Sequence, residues 1–349
     1  MAYVTTISHC LLRLRIVTLR YVGMLVLPAV FLGIGCQSTS SVQPPAPVFA
    51  PQKAWVDQIQ APPELRQAIL TSRAITVPQA EGYGIAVRVY GQTGGKTPVV
   101  MAHGLQSHSG WFAQSAARMA ALGHPVYAFD RRGSGLSQGP RGDMKAFAEM
   151  IEDFLAVADF IEGRHGTHNV FALGHCFGAI PATAFAIRHP DRTAGLILTT
   201  PGIYTKTDLP TSQKLRILFS RSGQRDFLLP DPLDPSEFTE LAPFEVFIRS
   251  DPLALRAATG DFYFQVHRAR KFIHANTDKI EIPVFMAIAG EDPISDNRRN
   301  IRFYENLPAD NKMMINYEDA RHILEFSPER ERFLNDLVFW LARESDRKE

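Results

Sequence analysis

One stretch, "NVFALGHCFGAIPATAFAIRHP" from Asn169, limits the fold more than any other. An apolar run of strand length ends in Gly174, and a helix-forming run starts within a few residues. Such a change leaves room only for a sharp turn. Gly174 and Gly178 bracket Cys176 because a side chain there would strike the adjoining strand or helix. Cys176 then stands at the start of a helix, where the backbone dipole favours an anion. Pro181 is tolerated because it lies in the first turn.

The same alternation runs along the chain. "AITVP" and "GIAVRVYG" read as two early strands joined by a turn. "TPVVMAHG", "HPVYAFD", "NVFALGH", "AGLILTTP", "IPVFMAIAG" and "KMMINYE" are further short apolar strands. Helical patterns separate them. Over 144–162, Phe147, Ile151, Leu155, Ala158 and Ile161 fall on one face. Over 328–344, Phe333, Leu337 and Trp340 do the same, with Ser327 as the expected N-cap. Strand and helix in turn predict an α/β fold: a mostly parallel sheet with helices on both faces. The alternation stops over 203–278, a stretch rich in Phe, Leu and Pro that reads as a mainly helical insertion.

The chain has 349 residues, enough for a large core without disulfides. Its net charge of +1 speaks against nucleic-acid binding. Three cysteines, Cys10, Cys36 and Cys176, form no CxxC pair and no zinc-like cluster, so no metal and no cofactor is expected. Arg13, Arg15 and Arg20 precede the apolar run "YVGMLVLPAVFLGIG", which is short for a membrane span. Residues 1–35 are therefore expected to be a signal peptide. "LGIGC" resembles a bacterial lipobox, with Leu32 one place further from Cys36 than is usual. That resemblance implies lipidation of Cys36 and a lipid-anchored protein of the cell envelope. Gln37 implies the outer membrane, facing the periplasm. The alternatives are a secreted chain or an N-terminal anchor. The expected partition is a Ser/Pro-rich tether and lead-in over 36–69, a core over 70–202, the insertion over 203–278, and a second core part over 279–349.

The chemistry-bearing residues follow predicted strands. Cys176 is the candidate nucleophile. His322 in "EDARHILEF" is the base that takes its proton, and Asp292 in "AIAGEDPIS" is the acid that orients His322, with Glu291 and Asp296 as rivals. The amides of Leu105, after "MAHG", and of Phe177 are the expected oxyanion donors. His103 and His175 read as structural. Arg131 and Arg132 read as solvated or paired with acids. "FYFQVHRARKF" reads as cap core with a charged outer face, with an amphipathic substrate or membrane contact as the alternative.

With these residues in place, the chain resembles α/β-hydrolases. Within them it is similar to the monoacylglycerol lipase and lysophospholipase group, also filed with serine aminopeptidases. The likeness covers about residues 70–345. It is carried by "HGLQSHSGWF" and by "DRRGSGLSQGPRGDMKAF", where Ser134 replaces a commoner His or aromatic residue. The resemblance implies that 203–278 is a helical cap, and that the substrate is a small ester or lipid. Cys176 departs from the group's Ser, although dienelactone hydrolases and polyhydroxyalkanoate synthases carry Cys at a similar turn. Three outcomes follow: ester hydrolysis through a thioester, acyl transfer from Cys176 to an acceptor other than water, or a binding protein without turnover.

Overall fold

The computed structural model describes residues 49–347, except 80–81, 93–94 and 221–223. The predicted signal peptide and Cys36 lie outside the described residues. Helix α1 (Phe49–Gln58) and helix α2 (Pro63–Leu70) lead into strands β1 (Arg73–Pro78), β2 (Gly84–Tyr90) and β3 (Val99–Ala102). Helix α3 (Ala113–Ala121), strand β4 (Val126–Phe129), helix α4 (Ala148–His165), strand β5 (Val170–His175), helix α5 (Ala179–Arg188) and strand β6 (Thr193–Thr199) follow. The chain then leaves the sheet for helix α6 (Thr211–Phe219), strand β7 (Leu228–Pro230), helix α7 (Ala242–Ser250), strand β8 (Ala257–Thr259) and helix α8 (Gly260–His274). It returns through strand β9 (Val284–Ala289), helix α9 (Asn297–Glu305), strand β10 (Lys312–Tyr317) and helix α10 (Arg330–Asp346).

The main sheet has the order β1-β2-β4-β3-β5-β6-β9-β10. Its first two neighbour pairs are antiparallel and the rest parallel, as the alternating pattern predicts. The parallel strands are apolar on both sides because helices cover both. In β3, Val100 and Ala102 face the layer that includes α4 and α5, while Val99 and Met101 face the layer that includes α1, α2, α3 and α10. In β9, Val284 and Met286 take the first side and Phe285 and Ala287 the second. A continuous apolar run is thus two interleaved faces of period two.

Three expectations shift in detail. Helix α4 starts at Ala148, not 144, because side chains satisfy the amides ahead of it: Glu149 accepts from Lys145 and Ala146, and Gln265 accepts from Phe147. Its buried stripe includes Phe154 and Val157, and Leu155 is half-buried. Ser327 does not cap α10, because its hydroxyl donates to Leu324 O at 2.9 Å. Residues 49–70, expected as the end of a tether and lead-in, carry α1 and α2. Trp55, Val56, Ile59, Leu65 and Ile69 are buried against the sheet layer.

Trp340 anchors α10 with no exposed surface, set edge-on and tilted against Phe171 of β5 and Phe285 of β9 at 5.7 and 5.8 Å. Trp340→Ala should destabilise the protein by about 3–5 kcal/mol, measured as a fall in the urea midpoint. A loss below about 1 kcal/mol would exclude Trp340 from the core that α10 completes.

Candidate active site

The turn after β5 meets the end of β3 and the loop after β6. Cys176 adopts φ 49°, a left-handed conformation costly for a residue with a side chain. A three-residue 3-10 turn, Cys176–Gly178, precedes α5, so the thiol stands just ahead of the helix rather than within it. A Cβ on Gly178 would lie 2.1 Å from Ala102 O, and one on Gly174 would lie 2.3 Å from Gly178 O. Both positions exclude a side chain. Gly202 closes the turn by donating its N–H to Cys176 O at 2.7 Å.

The structure brings Asp292 and His322 to this turn. His322 Nδ1 lies 2.9 Å from Asp292 Oδ2 and 3.0 Å from Oδ1, with both side chains fully shielded. Amides of Ile294 and Ser295 donate to Asp292 Oδ1 at 2.8 and 2.9 Å and fix the carboxylate. The rivals separate cleanly. Glu291 is exposed, and Asp296 caps α9 by accepting from Arg299 N. Burial opposes a charge on His322. The Asp292 carboxylate and then the Cys176 side chain outweigh it and hold the imidazole pKa above its ordinary value. Nε2 of His322 is buried and has no hydrogen-bond partner among the described residues.

Two buried carboxylates shape the loop after β3, where Leu105 lies. Asp130 accepts from Ser109 N at 2.7 Å, Ser109 Oγ at 2.6 Å and Leu136 N at 2.8 Å. Burial works to raise its pKa, but Arg88 and its other partners hold it well below the usual carboxylate range. Asp251, just after α7, accepts from Trp55 Nε1 at 2.8 Å, Trp111 Nε1 at 2.6 Å and His108 Nε2 at 2.9 Å. His108 must donate there, because its Nδ1 accepts from Gly110 N–H. The "HGLQSHSGWF" and "DRRGSGLSQG" stretches are thus two halves of one hydrogen-bonded frame.

His103 and His175 are structural here. His103 Nδ1 donates to Gly104 O at 2.8 Å and its Nε2 accepts from Arg131 N–H at 3.1 Å. Burial, then Arg131, drives its pKa down to about 3. His175 lies between the rings of Phe112 and His322 and bonds to Thr199 Oγ1. Arg132 pairs with Asp153 at 2.8 Å. Arg131 departs from the expectation. It is half-buried over Phe177 and Phe262 and donates from Nη2 to Leu105 O at 2.7 Å.

Cys176, Leu105 and Phe177 share a cavity of about 530 Å³. The amides of Leu105 and Phe177 donate to no other group among the described residues. The insertion roofs this cavity through α6 and α8. Phe262, Gln265, Val266, Ala269 and Ile273 of α8 are buried, which agrees with reading that stretch as cap core. Its His267 and Arg270, expected on a charged outer face, line the cavity instead, as does Asp231 beyond β7, which the sequence did not single out. Their signal was faint: His267 and Arg270 stand three apart, on one helix face. Burial pushes the Asp231 carboxyl up to about 6.

A family model described as serine aminopeptidase, S33, matches residues 95–329. The chain belongs to this family. This S33 protein is an α/β-hydrolase of the esterase and lipase kind. Human (Homo sapiens) monoglyceride lipase is 26% identical over 251 residues, covering 70% of this chain and 82% of the human one. The solved monoacylglycerol lipase of Paleococcus ferrophilus has the same fold, with a TM-score of 0.67 at 24% identity, covering 75% of this chain and 99% of that one. A soluble variant of Saccharomyces cerevisiae monoglyceride lipase, in complex with a substrate analog, gives 0.68 at 17% identity, covering 78% and 95%.

The loop bearing His322 is held by Glu325, whose buried carboxyl accepts from Ser115 N at 3.3 Å and from the Ser115 hydroxyl. Burial pushes Glu325 up to about 8. The folded state therefore holds a proton that the unfolded state releases near pH 4.5. The stability this gives is present below that pH and is lost as pH rises through about 8. Glu325→Gln should gain stability on the wild type steadily from pH 5 to 8, read as the difference in Tm. A pH-independent difference would contradict the assignment.

Proposed function

We propose that this S33 hydrolase cleaves carboxylic esters of lipid-like acids, of monoacylglycerol or lysophospholipid type, through a thioester on Cys176. The observation that carries this reading is the shared cavity. A nucleophile, two unengaged amides and apolar walls from Ile217, Leu218, Val266 and Ile294 face one space. Leu215, Leu218 and Phe219 leave α6 with an exposed apolar rim beside it, which suits an acyl chain leaving a lipid phase.

The steps follow from the positions. The Cys176 thiolate attacks the acyl carbon, and the carbonyl electrons move onto oxygen, where the Leu105 and Phe177 N–H groups meet the developing charge. As the tetrahedral species collapses, the C–O bond breaks and the His322 imidazolium gives its proton to the leaving alcohol. Water then enters. His322 takes its proton, hydroxide adds to the thioester carbon, and the thiolate leaves with the acid formed. Asp292 keeps His322 in the tautomer and orientation that both transfers need. Transfer of the acyl group to an alcohol, amine or thiol instead of water uses the same intermediate. An added acceptor that raises total product above hydrolysis would mark that route.

Cys176→Ala should lower kcat on medium-chain p-nitrophenyl esters more than about 1,000-fold. Intact-mass spectrometry of the wild type should show an acyl adduct that maps to Cys176. Full activity in the variant, or turnover without an adduct, would remove Cys176 from the reaction, whereas neither turnover nor adduct in the wild type would favour a binding role.

The N-terminal sequence supports a place for this enzyme at the cell envelope, tethered through lipid on Cys36, with the catalytic unit on the periplasmic side of the outer membrane. In a bacterial host, labelled palmitate should enter the wild-type protein and be lost in Cys36→Ser. Equal labelling of both would assign the lipid elsewhere.

A further inference from the structure

The cap wall of the cavity carries a cation that the reaction above does not use. Arg270 of α8 is half-buried and lines the same cavity as Cys176. Its Nη2 donates to Gly202 O at 2.8 Å and to Thr205 Oγ1 at 3.4 Å. Both acceptors are uncharged. Gly202 is the residue whose N–H closes the Cys176 turn, so the guanidinium is held against the loop that abuts the nucleophile. The Arg270 Nε is buried with no partner. Asp208, the acid that attracts Arg270, is itself paired with Lys214 at 2.5 Å. Arg270 therefore has no carboxylate partner of its own among the described residues. A partly desolvated guanidinium without a direct carboxylate partner is costly to keep, and its planar fork matches carboxylate and phosphate. His267, one turn earlier on α8, and Lys214 of α6 place two more donors on that cavity wall.

We propose that Arg270 recognises an anionic group, a carboxylate or phosphate, carried by the substrate close to the scissile carbonyl. The proposal rests on the ester-cleaving reading of Cys176 and narrows it to amphiphilic anions. The apolar wall takes the chain and Arg270 takes the charge. Cys176 also acts on Arg270 electrostatically, so a plain role in supporting the thiolate must be told apart from substrate recognition.

Binding separates the two readings without turnover. In full-length Cys176→Ala protein, calorimetric Kd values are compared for octyl phosphate, octanoate and 1-octanol. At least one anion should bind tenfold or more tightly than octanol, and which one does so distinguishes phosphate from carboxylate. Adding Arg270→Gln should erase that advantage, and Arg270→Lys, which keeps the charge, should retain part of it. Equal binding of all three probes, or an advantage that survives Arg270→Gln, overturns the proposal. In the Cys-containing enzyme, kcat/KM for a carboxylate-bearing ester relative to its neutral methyl-ester analogue should fall about 10- to 100-fold on Arg270→Gln. An equal loss on both substrates would make Arg270 a support for the thiolate and overturn the proposal. Absence of any ester turnover by the wild type would sink the hydrolase reading alone, since the binding comparison stands apart from it.

Discussion

Backbone pressed on backbone at the Cys176 turn governs everything around it. Gly178 lies against the carbonyl at the end of β3, Gly174 against Gly178, and Gly202 against Cys176 itself. No side chain fits in these gaps, so the end of β3, the end of β5 and the loop after β6 must meet at one point. That point fixes where a nucleophile can stand and which amides can face its target. The strained φ of Cys176 is held there by its neighbours, since nothing local favours it.

Around that crossing, buried charge does what loop backbone cannot do alone. Asp130 gathers Ser109 and Leu136, and Asp251 gathers two tryptophans and a histidine from two distant parts of the chain. A carboxylate sealed from water needs several donors. Meeting that need forces the loops into one arrangement. Glu325 holds the His322 loop onto α3 through Ser115, but as a carboxyl that burial keeps protonated rather than as a charge. Cys176, Asp292 and His322 are thus positioned by groups outside the proposed reaction.

Much of this was legible in the sequence. The strands were readable because apolar runs stop at Gly, Asp or His, and the three reactive side chains because each follows such a run. Asp292 was already preferred over Glu291 and Asp296 by its resemblance to a Gly-x-Asp pattern, and the structure adds that of the three its carboxylate is the one that meets His322. Helices α1 and α2 were hidden by prolines that read as tether. Their place depends on Trp55 reaching Asp251, 196 residues away, and no local pattern encodes that contact. Arg131 was hidden for a related reason. Its neighbours Leu105, Phe177 and Phe262 come from three separate segments. The cap wall was the least legible part, because which face of α8 looks into the cavity is decided by packing alone.

The Asp251 junction divides the roof unequally. Trp55, Trp111 and His108 all grip the residue that ends α7, so that half of the insertion is bolted to the sheet's supporting layer. Helix α6 is fastened more lightly, by Arg225 Nε donating to Ile217 O at 2.9 Å. Ile217 is its one buried residue, and Leu215, Leu218 and Phe219 are largely exposed. Opening by a swing of the whole roof would break three buried hydrogen bonds at once, whereas shifting α6 disturbs few contacts. The easier passage for a bulky guest is therefore beside α6, which would bring the chain past Leu218 and Lys214 before it reached the sulfur.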